Sequence, residues 1–177
     1  MSGAASATPA HDEADRHRRR VLWALPTGLY LIGSRVDDEV NLMTANLVVQ
    51  VCIEPKLVAV AVEVASVTAD LVRRGGAFTV SLLARRDKDM VRRFVKPVHE
   101  VDRTEDGVVA TMAGYEVREV GPARLPVPAA AAGYILCSLR SEQNLGSHIL
   151  LIGEVGEVGG EPGDVLRMED TRMHYGG

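Results

Sequence analysis

Two short stretches carry side chains able to grip a ligand. In "MTANL", Met43 to Leu47, hydrogen-bonding Thr44 and Asn46 flank small Ala45. A small residue between two polar ones lets a flat molecule approach the backbone. The same pattern also suits a plain strand start in which Asn46 satisfies a local turn. In "SVT", Ser66 to Thr68, two hydroxyls sit where an apolar run ends and a helical pattern begins. A helix start offers unpaired N–H groups and partial positive charge, which suits a phosphate. Simple capping uses the same hydroxyls. His148, in "LGSHILLIGEV", is the third candidate. It reads as a hydrogen-bonded core histidine beside Leu150 and Ile152, or as a donor at a pocket mouth after a turn at Gly146.

Other chemistry finds little support. No CxxC, HExxH or Walker-type Gly-x-x-x-x-Gly-Lys pattern occurs. His11, His17, His99, His148 and His174 do not fall at metal-ligand spacing, so no metal site is expected. Cys52 and Cys137 each lie in an apolar run and read as buried free thiols. The basic stretch Arg85 to Lys96 is diluted by Asp87 and Asp89. A solvated face is its default reading; attraction of an anionic cofactor is the other.

The elements that must position these residues are mainly strands. The 177 residues suit one domain with a core large enough to need no staples. Aromatics are only 4% of the chain, so Val, Leu, Ile and Ala must fill that core. A formal net charge of -4 argues against a general nucleic-acid binder. No run has the length and apolarity of a membrane span, and no signal peptide is evident, so a cytoplasmic protein is expected. Residues 1–19 are small, polar and charged and read as a disordered tail, leaving 20–177 as the domain.

"GLYLIGS" reads as a strand, and "NLMTANLVVQVCI" and "LVAVAVE" as two more around a turn at Glu54-Pro55-Lys56. In the first of that pair, Leu47, Val49, Val51 and Ile53 share one face. "SVTADLVRRGG" is a short helix with a hydroxyl cap and a glycine stop. "AFTVSLL" is a strand and "RRDKDMVRRFVK" an amphipathic helix ended by Pro97. "GVVATM", "YEVREV", "GYILCSLR" and "SHILLIGEVGEV" are further strands, with "PARLPVPAAAAG" a loop. Gly153 and Gly156 mark bends. Many short strands with few helices imply a mainly β fold, a small closed or partly closed barrel.

The order of these features resembles the flavin reductase-like, FMN-binding split-barrel family over about Trp23 to Gly160. The block from "NLMTANLVVQVCIEPKLVAVAVE" to "SVTADLVRRGGAFTVSLL" carries most of the likeness, followed by "VRRFVK", "GSHILLIGEV" and, more weakly, the closing "YGG". The resemblance implies a six-stranded Greek-key split β-barrel with short peripheral helices, working as a homodimer. It implies FMN, with FAD as the alternative, and NAD(P)H as the hydride source. Position by position it puts Met43, Thr44, Ala45, Asn46 and Leu47 beside the flavin ring and ribityl chain. Ser66, Val67 and Thr68 fall at the phosphate, Phe94 near the pocket and interface, and His148 at the nicotinamide entrance. Ser147 stands where the family's pattern has Asp, and Leu42 where Gly is frequent. The implied activity is a flavin reductase that supplies reduced flavin to a partner monooxygenase. An FMN-holding electron-transfer protein without its own reductase activity is the alternative. No nucleic-acid or membrane partner is expected.

Overall fold

A computed structural model describes the backbone of residues 9–173 and the side chains of 12–173. The expectations about residues 1–8, His174 and the "YGG" end lie outside them. The segment 9–19, expected as tail, instead forms helix α1, Pro9–Trp23. Its charges explain the helix: Arg19 pairs with Asp15 one turn earlier at 3.1 Å, an exposed pair of the kind that supports a helix by a few tenths of a kcal/mol, about 0.2–0.5.

The larger sheet is built from β1 (Tyr30–Val36), β2 (Glu39–Ala45), β3 (Val48–Cys52), β4 (Leu57–Glu63), β5 (Ala77–Leu82), β10 (Gly133–Asn144) and β11 (His148–Gly160). All its pairings are antiparallel, in the order β2-β1-β5-β10-β11-β4-β3. A smaller sheet of β6 (Val101–Arg103), β7 (Val109–Met112), β8 (Tyr115–Val120) and β9 (Leu125–Pro128) lies against it. The stretch "LPVP", expected in a loop, is β9, and its four residues are buried. Its prolines are tolerable because β9 is an edge, bonded to β8 on one side only.

The pairing corrects two expectations. Seven strands, not six, form the larger sheet, and its ladder does not close. "MTAN" does not open a long strand; it ends β2, and Asn46-Leu47 is a corner before β3. The break has a cause. Thr44 stays paired with Leu31 and sends its N–H outward to the Phe94 carbonyl at 2.9 Å, while beyond Ala45 the Val48 N–H turns back to the Asn46 carbonyl at 3.0 Å and makes the corner. Yet β2 and β3 are the two outer strands, and only two residues join them. Three residue steps span at most about 11 Å, so the sheet must curl until its edges nearly meet at this corner.

Curling needs glycine where the sheet folds on itself. A side chain at Gly153 on β11 would meet the Phe78 ring at 2.5 Å and the Cys137 Cβ at 2.6 Å. Ile32, Val58, Val60, Phe78, Cys137 and Leu151 fill the space inside the curl. Leu31, Leu42, Leu83, Phe94 and Met112 form a second core beneath the small sheet. Adjacent Leu31 and Ile32 point into different cores, as alternation along a strand requires, which is why β1 is buried on both faces.

Helix α2, Val67–Gly75, ends as expected. Ser66 caps it, its Oγ accepting from the Ala69 N–H at 3.1 Å, and Gly76 closes it at φ 69. The amphipathic helix expected over Arg85–Lys96 is two short pieces, a 3-10 turn at Arg85–Asp87 and the single turn α3, Met90–Arg93. Only Met90, Val91 and Phe94 give that segment a buried anchor, too few for a longer helix to hold.

Candidate functional site

The corner at Asn46 opens onto a cavity of about 350 Å³, within the range of small-molecule sites, roughly 300–1,000 Å³. Met43, Thr44, Ala45 and Asn46 form one wall at the end of β2. Ala61, Val62 and Glu63 at the end of β4 form the wall opposite, and Ala65, Ser66 and Val67 lead into α2. Thus the two stretches singled out in the sequence meet in space. The reason is topological: β2 and β4 both end at the split where the curled sheet fails to close.

The polar groups are not equally available. Thr44 Oγ1 donates to the Val91 carbonyl at 2.6 Å, so this side chain fastens β2 to α3. The Thr44 N–H is likewise used, by Phe94. Ser66 Oγ accepts the capping N–H of Ala69, which fixes the side chain while leaving its own O–H able to donate. Thr68 is fully buried and absent from the cavity wall; its Oγ1 accepts from Asn41 Nδ2 at 3.0 Å. Asn41 completes the link by accepting from the Val98 N–H at 3.2 Å. The hydroxyls therefore hold the walls in place.

Asn46 differs. It is only 7% exposed, it lines the cavity, and its side-chain amide makes no hydrogen bond to another described residue. Its amide is not sealed in the core but open to the cavity, so it is the wall's polar side chain most available to a ligand.

The remaining expected residues are dispersed. Phe94 is completely buried beneath the wall, its ring 5.9 Å from that of Tyr115. Leu47 is 39% exposed and outside the cavity, on the far side of the corner. His148 lies at the start of β11, paired across the ladder with Glu63, so it stands at the rim rather than in the wall. Its Nδ1 is 2.9 Å from Ser147 Oγ. Sequence reasoning missed Leu29, Asn41, Pro97, Met168 and Met173, all of which line the cavity. The two methionines arrive on the C-terminal segment, which is held down by the Met168 N–H donating to the Thr27 carbonyl at 2.9 Å. No local pattern near them signals a site.

This division of labour makes a prediction. Thr68→Val should strand the Asn41 amide and lower unfolding free energy by about 1–3 kcal/mol, seen as a reduced urea midpoint. Because Thr68 does not reach the cavity, ligand affinity should change by no more than about twofold.

The walls suit a flat, largely apolar group: Met43, Ala45, Ala61, Val62 and Met168 supply the surface, and Asn46 supplies a donor and an acceptor. The start of α2 adds N–H groups and partial positive charge at one end. A model of the flavin reductase-like domain matches residues 22–176. The chain belongs to the flavin reductase-like domain family. High molecular weight rubredoxin of Moorella thermoacetica is 30% identical over 81% of the chain, which spans 62% of that protein. An NADH-dependent flavin reductase of a Rhodococcus species is 25% identical, with 85% of the chain and 80% of that protein covered. Among solved structures, the flavin reductase PheA2 in its native state superposes with a TM-score of 0.72 and 27% identity, covering 86% of this chain and 92% of that one.

Proposed function

We propose that the protein is an FMN-binding flavin reductase that passes hydride from NAD(P)H to flavin and supplies reduced flavin to a partner monooxygenase. The Asn46 amide, unbonded within the protein and open to the cavity it lines, carries this reading. A flavin's pyrimidine edge alternates carbonyl acceptors with an N–H donor, and a primary amide complements such an edge.

When bound, the flavin supplies the two-electron chemistry; the chain's residues bind, orient and exclude water. Met43, Thr44 and Ala45 back the ring, and backbone N–H groups from Ala45 to Leu47 are placed to favour negative charge gathering at its edge. Val67 and Thr68 contribute first-turn N–H groups of α2 to the phosphate, with Ser66 fixing that turn. Phe94 acts from beneath, supporting the β2 end through its carbonyl. His148 stands at the nicotinamide entrance. Residues 20–177 form the domain, and its curled sheet is the Greek-key split barrel of the family, with FAD the alternative flavin.

The exposed face of β3 supports a homodimer. Leu47, Val49, Val51 and Ile53 leave one face of an outer strand between 39% and 79% exposed. Such an apolar edge, running from the corner at Leu47 through β3 to the turn at Ile53, invites a covering surface, and a second copy would also enclose the cavity beside it. No described helix is long and apolar enough to cross a membrane. Free Cys52 and Cys137 suit the cytoplasm.

The test is the absorption spectrum of the pure protein with FMN before and after anaerobic NADH. Loss of the visible flavin band, with several turnovers once air is admitted, is expected. A protein that neither binds FMN nor oxidises NADH or NADPH would overturn the reading. One that holds FMN tightly without turnover would instead be an electron-transfer protein. The replacement of a carboxylate by Ser147 next to His148 favours that second reading.

A further inference from the structure

We propose that the open cleft formed by Arg92, Arg93 and Lys96 binds the pyrophosphate limb of a dinucleotide. The proposal rests on the flavin reading of the adjoining cavity. The cleft and the cavity share Val95 and Met173 in their linings, so the two lie side by side at the surface.

Charge separates the two spaces. Among the described residues that line the cavity, Glu63 is the one ionisable group, and it is an acid. A neutral ring and a hydroxylated chain fit there, but a second phosphate does not. The cleft has the opposite character, with three cations and no carboxylate in its lining.

These cations stand together, three within five residues, and none is used inside the protein. Arg35, Arg73, Arg74, Arg85, Arg124 and Arg140 each meet a carboxylate. Arg92, Arg93 and Lys96 have no ion pair or hydrogen bond to another described residue. Asp89 is spaced to pair with Arg93 along α3, yet the two do not meet. Helix stabilisation is a weak reason to gather three cations here, because α3 is a single turn and has little dipole to offset. Exposed guanidinium groups without partners suit a pyrophosphate, whose oxygens accept their N–H groups in pairs.

Two dinucleotides bring this group, FAD and NAD(P)H, and ADP-ribose carries it without either redox ring. The experiment compares the full-length wild type with a triple variant, Arg92→Gln with Arg93→Gln and Lys96→Gln. Riboflavin, FMN and FAD are titrated by fluorescence, ADP-ribose by calorimetry, and KM for NADH is measured with riboflavin as acceptor. If FAD occupies the cleft, its affinity falls about 10- to 100-fold in the variant while riboflavin stays within about twofold. If the nicotinamide dinucleotide does, FAD is unaffected, ADP-ribose binding weakens about tenfold or more and KM for NADH rises with kcat nearly constant. FAD, ADP-ribose and NADH all within twofold of wild type would overturn the proposal. Should wild type fail to bind riboflavin, the flavin reading fails, while ADP-ribose still decides the cleft. The three side chains are exposed and unbonded, so the variant should fold; Lys96→Gln alone gives a smaller change in the same direction.

Discussion

Glu119→Ala is expected to lower unfolding free energy by about 3–5 kcal/mol, the usual cost of breaking a buried ion pair from one side. Glu119 on β8 and Arg35 on β1 are each 8% exposed in their side chains and meet at 2.7 Å. The carboxylate also accepts from the Val109 N–H at 2.9 Å and pairs with Arg124. It therefore joins the small sheet to the large one, and its loss strands a buried guanidinium between them. Burial pushes the Glu119 carboxyl up, but the Val109 N–H, Arg124 and Arg35 outweigh it and hold the group below the usual carboxylate range. The sign follows. A depressed folded value means the stabilisation is complete above the unfolded value, about 4.3 for glutamate, and is lost as pH falls through the lower folded one. Urea unfolding across that acid range should show wild type and variant converging as pH drops. A neutral-pH difference below about 1 kcal/mol would show that the pair contributes little to joining the sheets.

Glu119 also shows what the sequence left unread. "YEVREV" alternates and is recognisable as a strand, but nothing local says that its second glutamate will meet an arginine 84 residues away. Patterns of period two and helix caps are local, so β1, β4, α2 and β5 were legible with their ends nearly in place. The Ser66 cap and Gly76 stop are single-residue signals with direct physical causes. The corner at Asn46-Leu47 was only half legible: Asn46 is a poor strand former, but the Val48 N–H bond back to the Asn46 carbonyl that makes the corner leaves no mark in the sequence. The strand "LPVP" was hidden by its prolines, whose missing N–H groups matter little at an edge. The cavity followed the same rule. Its β2 and α2 walls were visible as polar residues in unexpected places, whereas Met168 and Met173 come from a distant segment without periodicity. The partners of the hydroxyl side chains were not legible either. Thr44, Ser66 and Thr68 have the right chemistry for a ligand and are near it, yet each is bonded to the protein itself.

Asn46→Ala should separate binding from stability in a way those hydroxyls cannot. For Ser66 or Thr68, removing the side chain breaks a bond within the protein, so stability falls whether or not a ligand is involved. The Asn46 amide has no such bond, and it is 7% exposed. Its removal should leave the stability of the ligand-free protein nearly unchanged, because no hydrogen bond within the protein is lost. Flavin affinity should fall about 10- to 100-fold, corresponding to roughly 1.5–3 kcal/mol for buried hydrogen bonds to a ligand. Asn46→Leu keeps most of the volume and removes both donor and acceptor, so it should show the same loss; this tells hydrogen bonding from cavity shape. The measurements are a thermal melt without flavin and a fluorescence titration with FMN, made on the same preparations. If both variants bind FMN normally, the ring does not lie against the β2 corner. If they lose stability instead, Asn46 is a structural residue and the cavity has no polar group reserved for a ligand. A stable protein with weakened binding is the result that only a ligand-facing amide produces.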